Sequence, residues 1–183
     1  MPSRLQLRSR DDLYELMFDA ALGETDLPAA SGDWRRDLRA IAVASHDIFR
    51  HHPWLVLLGI HPGLGPNTRR YGELGMSVLG EYGLDRDART QVLALLNNYV
   101  TGFAQRQAWD QLRQPTGLNN EQWHNELEGY LDDARRAAPD LAADIESRLH
   151  LTSAASFDIG LDCLIEGVAT KFQLPGADSD CEP

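Results

Sequence analysis

A chain of 183 residues with 43% hydrophobic and 25% charged residues can bury one core of its own and is too apolar to be a disordered segment. Its formal net charge of −11 excludes an unaided grip on a phosphate backbone, since basic residues gather only at Arg4, Arg8 and Arg10 and more weakly at Arg69 and Arg70. The longest apolar run, Pro53 to Ile60, is too short to span a bilayer, and the opening MPSRLQLRSR is no signal core; a cytoplasmic protein with no membrane partner is expected.

Apolar residues recur at helical intervals and nowhere alternate for long, which predicts an all-α fold. Ser9 followed by Asp12 reads as a capping box, opening a first helix whose apolar face is Leu13, Leu16, Met17, Ala20 and Ala21 and whose stop is Gly23. After the loop LPAASGD, Trp34, Leu38, Ile41, Ala42, Ser45, Ile48 and Phe49 make one stripe of a second helix, ended by Pro53. Pro53 suits the first position of a short third helix, Trp54 to Ile60, so apolar that it must be surrounded.

HPGLGPN breaks the chain, and Pro66 starts a fourth helix carrying Tyr71, Leu74, Met76, Val78 and Leu79, with a stop at Gly80 to Gly83. Asp85 caps a long fifth helix in which Val92, Leu93, Leu95, Leu96, Tyr99, Val100 and Phe103 form a face wide enough for contacts on two sides. Asn119 or Asn120 caps a sixth, with Trp123, Leu127, Tyr130 and Leu131 inward, and a short helix with Leu141, Ile145 and Leu149 follows. The last helix, Ser153 to Phe172, repeats Phe157, Leu161, Leu164, Ile165, Val168 and Phe172, with Gly160 and Gly167 on a neighbouring stripe where another helix can approach closely. Cys163 sits among these apolar residues as a small buried hydrophobe; Cys181 lies in a polar tail, and the pair suggests neither a disulfide nor a metal site.

Reaction chemistry has no foothold. GLGP precedes no lysine and serine, GxGxxG and GxSxG are absent, and neither cysteine has a histidine partner, so no enzyme activity, cofactor or metal is expected. His51 and His52 stand at a helix end where imidazole can meet the last carbonyls, His124 and Glu128, four apart on a helix, could bind a metal but read rather as an exposed pair, and His150 is solvated. His46 lies beside the stripe of the second helix and either packs between helices or faces a cavity. His61, at the break between two short helices, is placed to point into a pocket. Asn97 and Asn98 interrupt the most apolar part of the fifth helix and either bond across helices or meet a ligand.

The block DWRRDLRAIAVASHDIFRHHPWLVLLG, the HPGLGPN junction, FDIGLDCLIEGVATKF and the opening RSRDDLYELMFDAALGE together resemble the C-terminal regulatory domain of the tetracycline-repressor family, from about Arg8 to Phe172. The resemblance implies a homodimer in which the fifth and last helices pair with their symmetry mates as a four-helix bundle, around a cavity enclosed by the second to sixth helices. On that reading Val92, Leu96, Val100, Phe157, Leu161, Leu164, Ile165 and Val168 form the dimer interface. His46, Phe49, Trp54, His61, Pro66, Tyr71, Asn97, Tyr99, Phe103 and Trp123 line the site of a small apolar or amphipathic ligand. His61 and Pro66 keep the spacing with which tetracycline repressors hold a drug-bound magnesium, but Leu64 and Gly65 replace the family's threonine and arginine, which argues against tetracycline and magnesium.

The family's helix-turn-helix would precede this opening, and MPSRLQLRS is too short to supply one. Residues 1–9 are therefore expected to be the remnant of a linker from a missing DNA-binding domain, 10–173 a ligand-binding and dimerisation domain, and 174–183 a disordered tail. The expected function is ligand sensing in a transcriptional repressor, with DNA not bound by this chain alone. The alternative is a stand-alone protein that sequesters a small molecule or forms heterodimers with an intact relative.

Overall fold

The computed structural model describes residues 9–57, 65–112, 128–129, 132–140, 143 and 152–175, and every regular element among them is helical, as the apolar spacing predicts. Five helices carry the architecture: α1 (Arg10–Gly23), α2 (Trp34–His51), α3 (Pro66–Val78), α4 (Arg86–Leu112) and α5 (Ala154–Phe172). Two 3-10 turns, Pro53–Leu57 and Gly80–Tyr82, join α2 towards α3 and α3 to α4. Of the segments predicted to be helical around Trp123 and Ile145, residues 128–129, 132–137, 139–140 and 143 are described, and these are helical; Trp123 and Ile145 lie outside the described residues. Among the described residues no helix is long and apolar enough to cross a membrane.

Helix starts follow local chemistry. The amide of Asp12 donates to Ser9 Oγ (3.0 Å) and that of Ser9 to Asp12 Oδ2 (3.2 Å), so aspartate completes the capping box where glutamate is usual. Asp33 accepts from the amides of Arg35 and Arg36, Asp85 from Ala88 and Ser153 from Ser156. α2 buries Trp34, Leu38, Ile41, Ala42, Ile48 and Phe49, the stripe expected of it. His51 Nδ1 lies 2.8 Å from the Asp47 carbonyl in the last turn.

α1 departs from expectation. Leu13 and Met17 are 40% and 38% exposed, and the buried residues are Asp19, Ala21 and Leu22. The helix docks by its final turns because Asp19 caps another helix. Its carboxylate accepts from the amide and hydroxyl of Thr68 (2.8 and 3.0 Å) and from Asn67 Nδ2 (3.1 Å), while Asn67 Nδ2 also donates to the Asp19 carbonyl (2.9 Å). α3 has no cap from its own N-cap residue, and a Cβ on Gly65 would collide with this carboxylate. His52 Nε2, 2.7 Å from Glu24 Oε2, adds a second tie from the end of α1 to the end of α2.

α4 is the axis of the molecule, packed by α2, α3, the Pro53–Leu57 turn and α5. Gly75 lets α3 approach closely: a Cβ there would meet Leu93 at 2.6 Å. Gly160 does the same for α5, over the ring of Tyr99, whereas Gly167 faces open space. Along the outside of α2, Arg39 pairs with Asp158 and Asp162 and Arg35 with Glu166, fixing the register of α2 on α5 through pairs too exposed to contribute more than about 0–1 kcal/mol each.

Three expectations need correcting. Val92, Leu96, Val100, Phe157, Leu161, Ile165 and Val168, assigned to the dimer interface, are buried within the single chain, and of that set only Leu164 keeps part of its surface. α4 and α5 turn these stripes on each other and on α2, so the protomer fills its own core with them. Cys163, expected inside, is exposed. The tail is held for two residues beyond Gln173: Leu174 is buried, its amide bonded to the Ala169 carbonyl, and the Pro175 carbonyl accepts from Trp34 Nε1 and Arg35 Nη1 at 3.3 Å each.

Candidate ligand-binding site

The described residues of the predicted site divide between two flanks of α4. Towards α2 and α5, His46 is buried and lies flat on Phe157, with ring centroids 4.3 Å apart and planes at 15°, and edge-on to Phe103 at 5.6 Å. Tyr99 closes the group, 5.5 Å from Phe157 and 6.2 Å from Phe103. The polar side chains of this group are hydrogen-bonded. His46 Nε2 is 2.7 Å from Gln107 Oε1, Gln107 Nε2 donates to the Thr152 carbonyl (2.8 Å), and the Tyr99 hydroxyl donates to the Phe157 carbonyl (2.7 Å). This flank is an aromatic knot in which His46 packs between helices, as one of its two sequence readings has it.

Towards α3 and the Pro53–Leu57 turn the picture changes. Leu55 and Val56 are buried, Phe49 lies in the core beside them, and half-buried Trp54 stands edge-on to His52 at 6.0 Å. Tyr71 is half-buried, yet its hydroxyl oxygen is shielded from solvent and has no hydrogen-bond partner; elsewhere on α4 itself, Thr101 Oγ1 is likewise shielded and unbonded. Burial pushes the Tyr71 phenol above its ordinary pKa of about 10.0. The Tyr99 phenol is also raised, first by burial and then by the negative charges of Asp158 and Cys163, with a backbone hydrogen bond acting in the opposite direction. Both phenols are therefore protonated donors at neutral pH.

Asn97 and Asn98 are exposed on the single chain, so neither amide points into the core; Pro66 is exposed at the first position of α3. His61 and Trp123 lie outside the described residues. Thr101, Gln107 and Asp19 were not anticipated. An acidic residue within an apolar helix face, as at Asp19, is the one signal that could have been read, because a buried carboxylate demands donors. Among the described residues no three His, Cys, Asp or Glu side chains converge as a metal site.

A separate open cleft of about 270 Å³ lies at the start of α2 and the end of α3, lined by Ser31, Gly32, Asp37, Ser77, Glu81 and Tyr82 among others. Its buried carboxylate, Asp37, is committed to the loop before it, accepting from the Ser31 amide (2.9 and 3.0 Å) and hydroxyl (2.7 Å). No residue of the predicted ligand site lines it.

The chain is 33% identical over 96 residues to an HTH-type transcriptional regulator of Saccharopolyspora erythraea, covering 51% of this chain and 41% of that protein. It is 30% identical over 115 residues to the HTH-type transcriptional repressor DrrR1 of Streptomyces coeruleorubidus, covering 61% and 43%. These matches thus span about two fifths of each curated relative. Among solved structures it resembles apo ActR of Streptomyces coelicolor, with a TM-score of 0.63, 26% identity and coverage of 88% of this chain and 76% of that one. It resembles ActR in complex with (S)-DNPA and with actinorhodin equally well, with TM-scores of 0.63 and 0.62, each at 26% identity and coverage of 89% and 77%. Residues 27–172 match the family described as "Tetracyclin repressor-like, C-terminal domain", and the chain belongs to that family.

Proposed function

We propose that this chain is the small-molecule-sensing and dimerising domain of a transcriptional repressor, its ligand held on the α3 flank of α4 between α2, the Pro53–Leu57 turn and α3. The observation that carries the reading is that the helical frame shared with ActR extends to ActR's complexes with two small molecules, over 89% of this chain. Bonded to the first turn of α3 through Asp19, α1 is the element that a shift of α3 would move first. DNA reading is assigned to a helix-turn-helix other than the described helices: α1 and α2 are separated by residues 24–33, far longer than the three- or four-residue turn of that motif. A thermal-shift screen of hydrophobic metabolites and antibiotics tests the sensing role, since a ligand of the native state raises the unfolding temperature; no stabilising compound would count against it.

Because the expected interface stripe is consumed by the core, dimerisation is assigned to the outer sides of α4 and α5. Leu95 is 51% and Ile159 65% exposed there, near exposed Cys163 and the open side of Gly167. A charge in such an interface is costly, so Ile159→Asp should give a folded monomer, whereas Leu161→Asp, inside the core, should unfold the protomer. Light scattering with circular dichroism separates the two. A monomeric wild type would remove the dimer from this account.

A further inference from the structure

The open cleft of about 270 Å³ lies in the groove between α2 and α3, at the start of α2 and the end of α3, and Val78 is part of its wall. Tyr71, Leu74 and Val78 follow one another along one face of α3, so the cleft begins seven residues, about 10 Å, from Tyr71. Over that distance Leu74 and Val78 of α3 and Ile41 of α2 are covered by Pro28, Ala29 and Ala30 of the loop that joins α1 to α2, with no room for a water molecule beneath. The strip is apolar, and the loop holds it shut.

That cover is lightly fastened. No residue from Gly23 to Asp33 is buried, so lifting the loop forfeits little apolar contact of its own. Its restraints are polar and gathered at one end. The Ser31 amide and hydroxyl donate to the Asp37 carboxylate, and the Tyr82 hydroxyl donates to the Gly32 carbonyl. Both anchors belong to the packed body: Asp37 is buried on α2, and the Tyr82 ring stands edge-on to buried Trp34 at 6.5 Å. Between them Gly32, at a φ of 86° with open space where a Cβ would stand, gives the chain a place to pivot.

We propose that residues 24–33 are the gate of the ligand site, latched at Ser31 and Gly32, and that an uncharged apolar ligand enters from the cleft along the strip of Ile41, Leu74 and Val78. The proposal rests on the sensing role and the α3-flank site put forward above. Opening exchanges a few exposed hydrogen bonds for bonds to water, whereas any route through the packed interior would have to part buried side chains such as Leu38, Leu79 and Val92.

The test follows uptake of Nile red, an uncharged apolar dye, by the full chain in stopped-flow fluorescence. A gate sets rates and leaves affinity alone. Tyr82→Phe and Ser31→Ala each delete one latch hydrogen bond, so association and dissociation should both quicken by about two- to tenfold with Kd unchanged. Ser77→Trp puts a bulky ring on the exposed wall of the cleft and should slow both. Wild-type rates in all three variants would place entry elsewhere, overturning the gate and leaving the sensing role. A Kd that shifts through dissociation alone would make the cleft itself the binding site and would also overturn it. If the wild-type chain takes up no Nile red, the gate falls and the sensing role rests on the thermal-shift screen. Without any ligand, the Ser31 amide should exchange its hydrogen through local opening, faster in Tyr82→Phe; exchange only through global unfolding would contradict a gate.

Discussion

The two flanks of α4 are built to different rules. On the α5 side, His46, Tyr99, Phe103 and Phe157 interlock and their polar atoms are bonded in sequence, His46 to Gln107 to the Thr152 carbonyl and Tyr99 to the Phe157 carbonyl. On the α3 side, the Tyr71 hydroxyl is shut off from water and bonded to nothing, as is that of Thr101 on α4. A satisfied polar network in a packed core fixes one arrangement, whereas unsatisfied donors are a standing cost that a guest can remove. On the proposed reading the difference separates a scaffold from a receptor on one helix.

The largest effect that can break this contrast is at Phe157, which all three other members of the knot touch. Phe157→Ala should cost about 3–5 kcal/mol in urea unfolding; a loss under about 1 kcal/mol would mean that the knot is loosely filled. His46→Ala should cost about 1–3 kcal/mol by leaving Gln107 without its partner, and should leave ligand selectivity intact. Selectivity lost without stability would move the receptor to the α5 side.

The smallest effect is one of pH. Tyr71 and Tyr99 both hold their protons more tightly folded than unfolded. Their contribution is fully present below the unfolded value of about 10.0 and is lost as pH rises through the folded values, so stability should decline above about pH 10. Unfolding temperatures from pH 8 to 11 check this, and Tyr71→Phe should flatten the slope.

Much of the fold was legible in the sequence because helix ends are decided locally. Ser9 with Asp12, Asp85 and Ser153 each announce a start through a side chain that satisfies nearby amides, and Pro66 through a ring that fixes φ and leaves no N–H to satisfy. The site was harder to read. Periodicity names the apolar stripe of a helix but not what covers it, so Val92, Leu96, Leu161 and Ile165 looked like a surface for a second copy and proved to be the protomer's own core. Asn97 drew attention as a polar break in an apolar run, yet its direction on α4 is outward. Thr101 drew none, because a threonine in a helix looks ordinary until its hydroxyl is seen to lack a partner. Cys163 misled for a related reason: an apolar neighbourhood along the chain is not a buried one in space.

The most direct measurement is a paired one, urea unfolding of Tyr99→Phe and Tyr71→Phe in the absence of ligand, each deleting a single hydroxyl from one flank of α4. Tyr99→Phe removes a hydrogen bond to the Phe157 carbonyl and should lose about 0.5–1.5 kcal/mol, while Tyr71→Phe should lose nothing or gain. Equal losses in the two variants would contradict the division of α4 into scaffold and receptor.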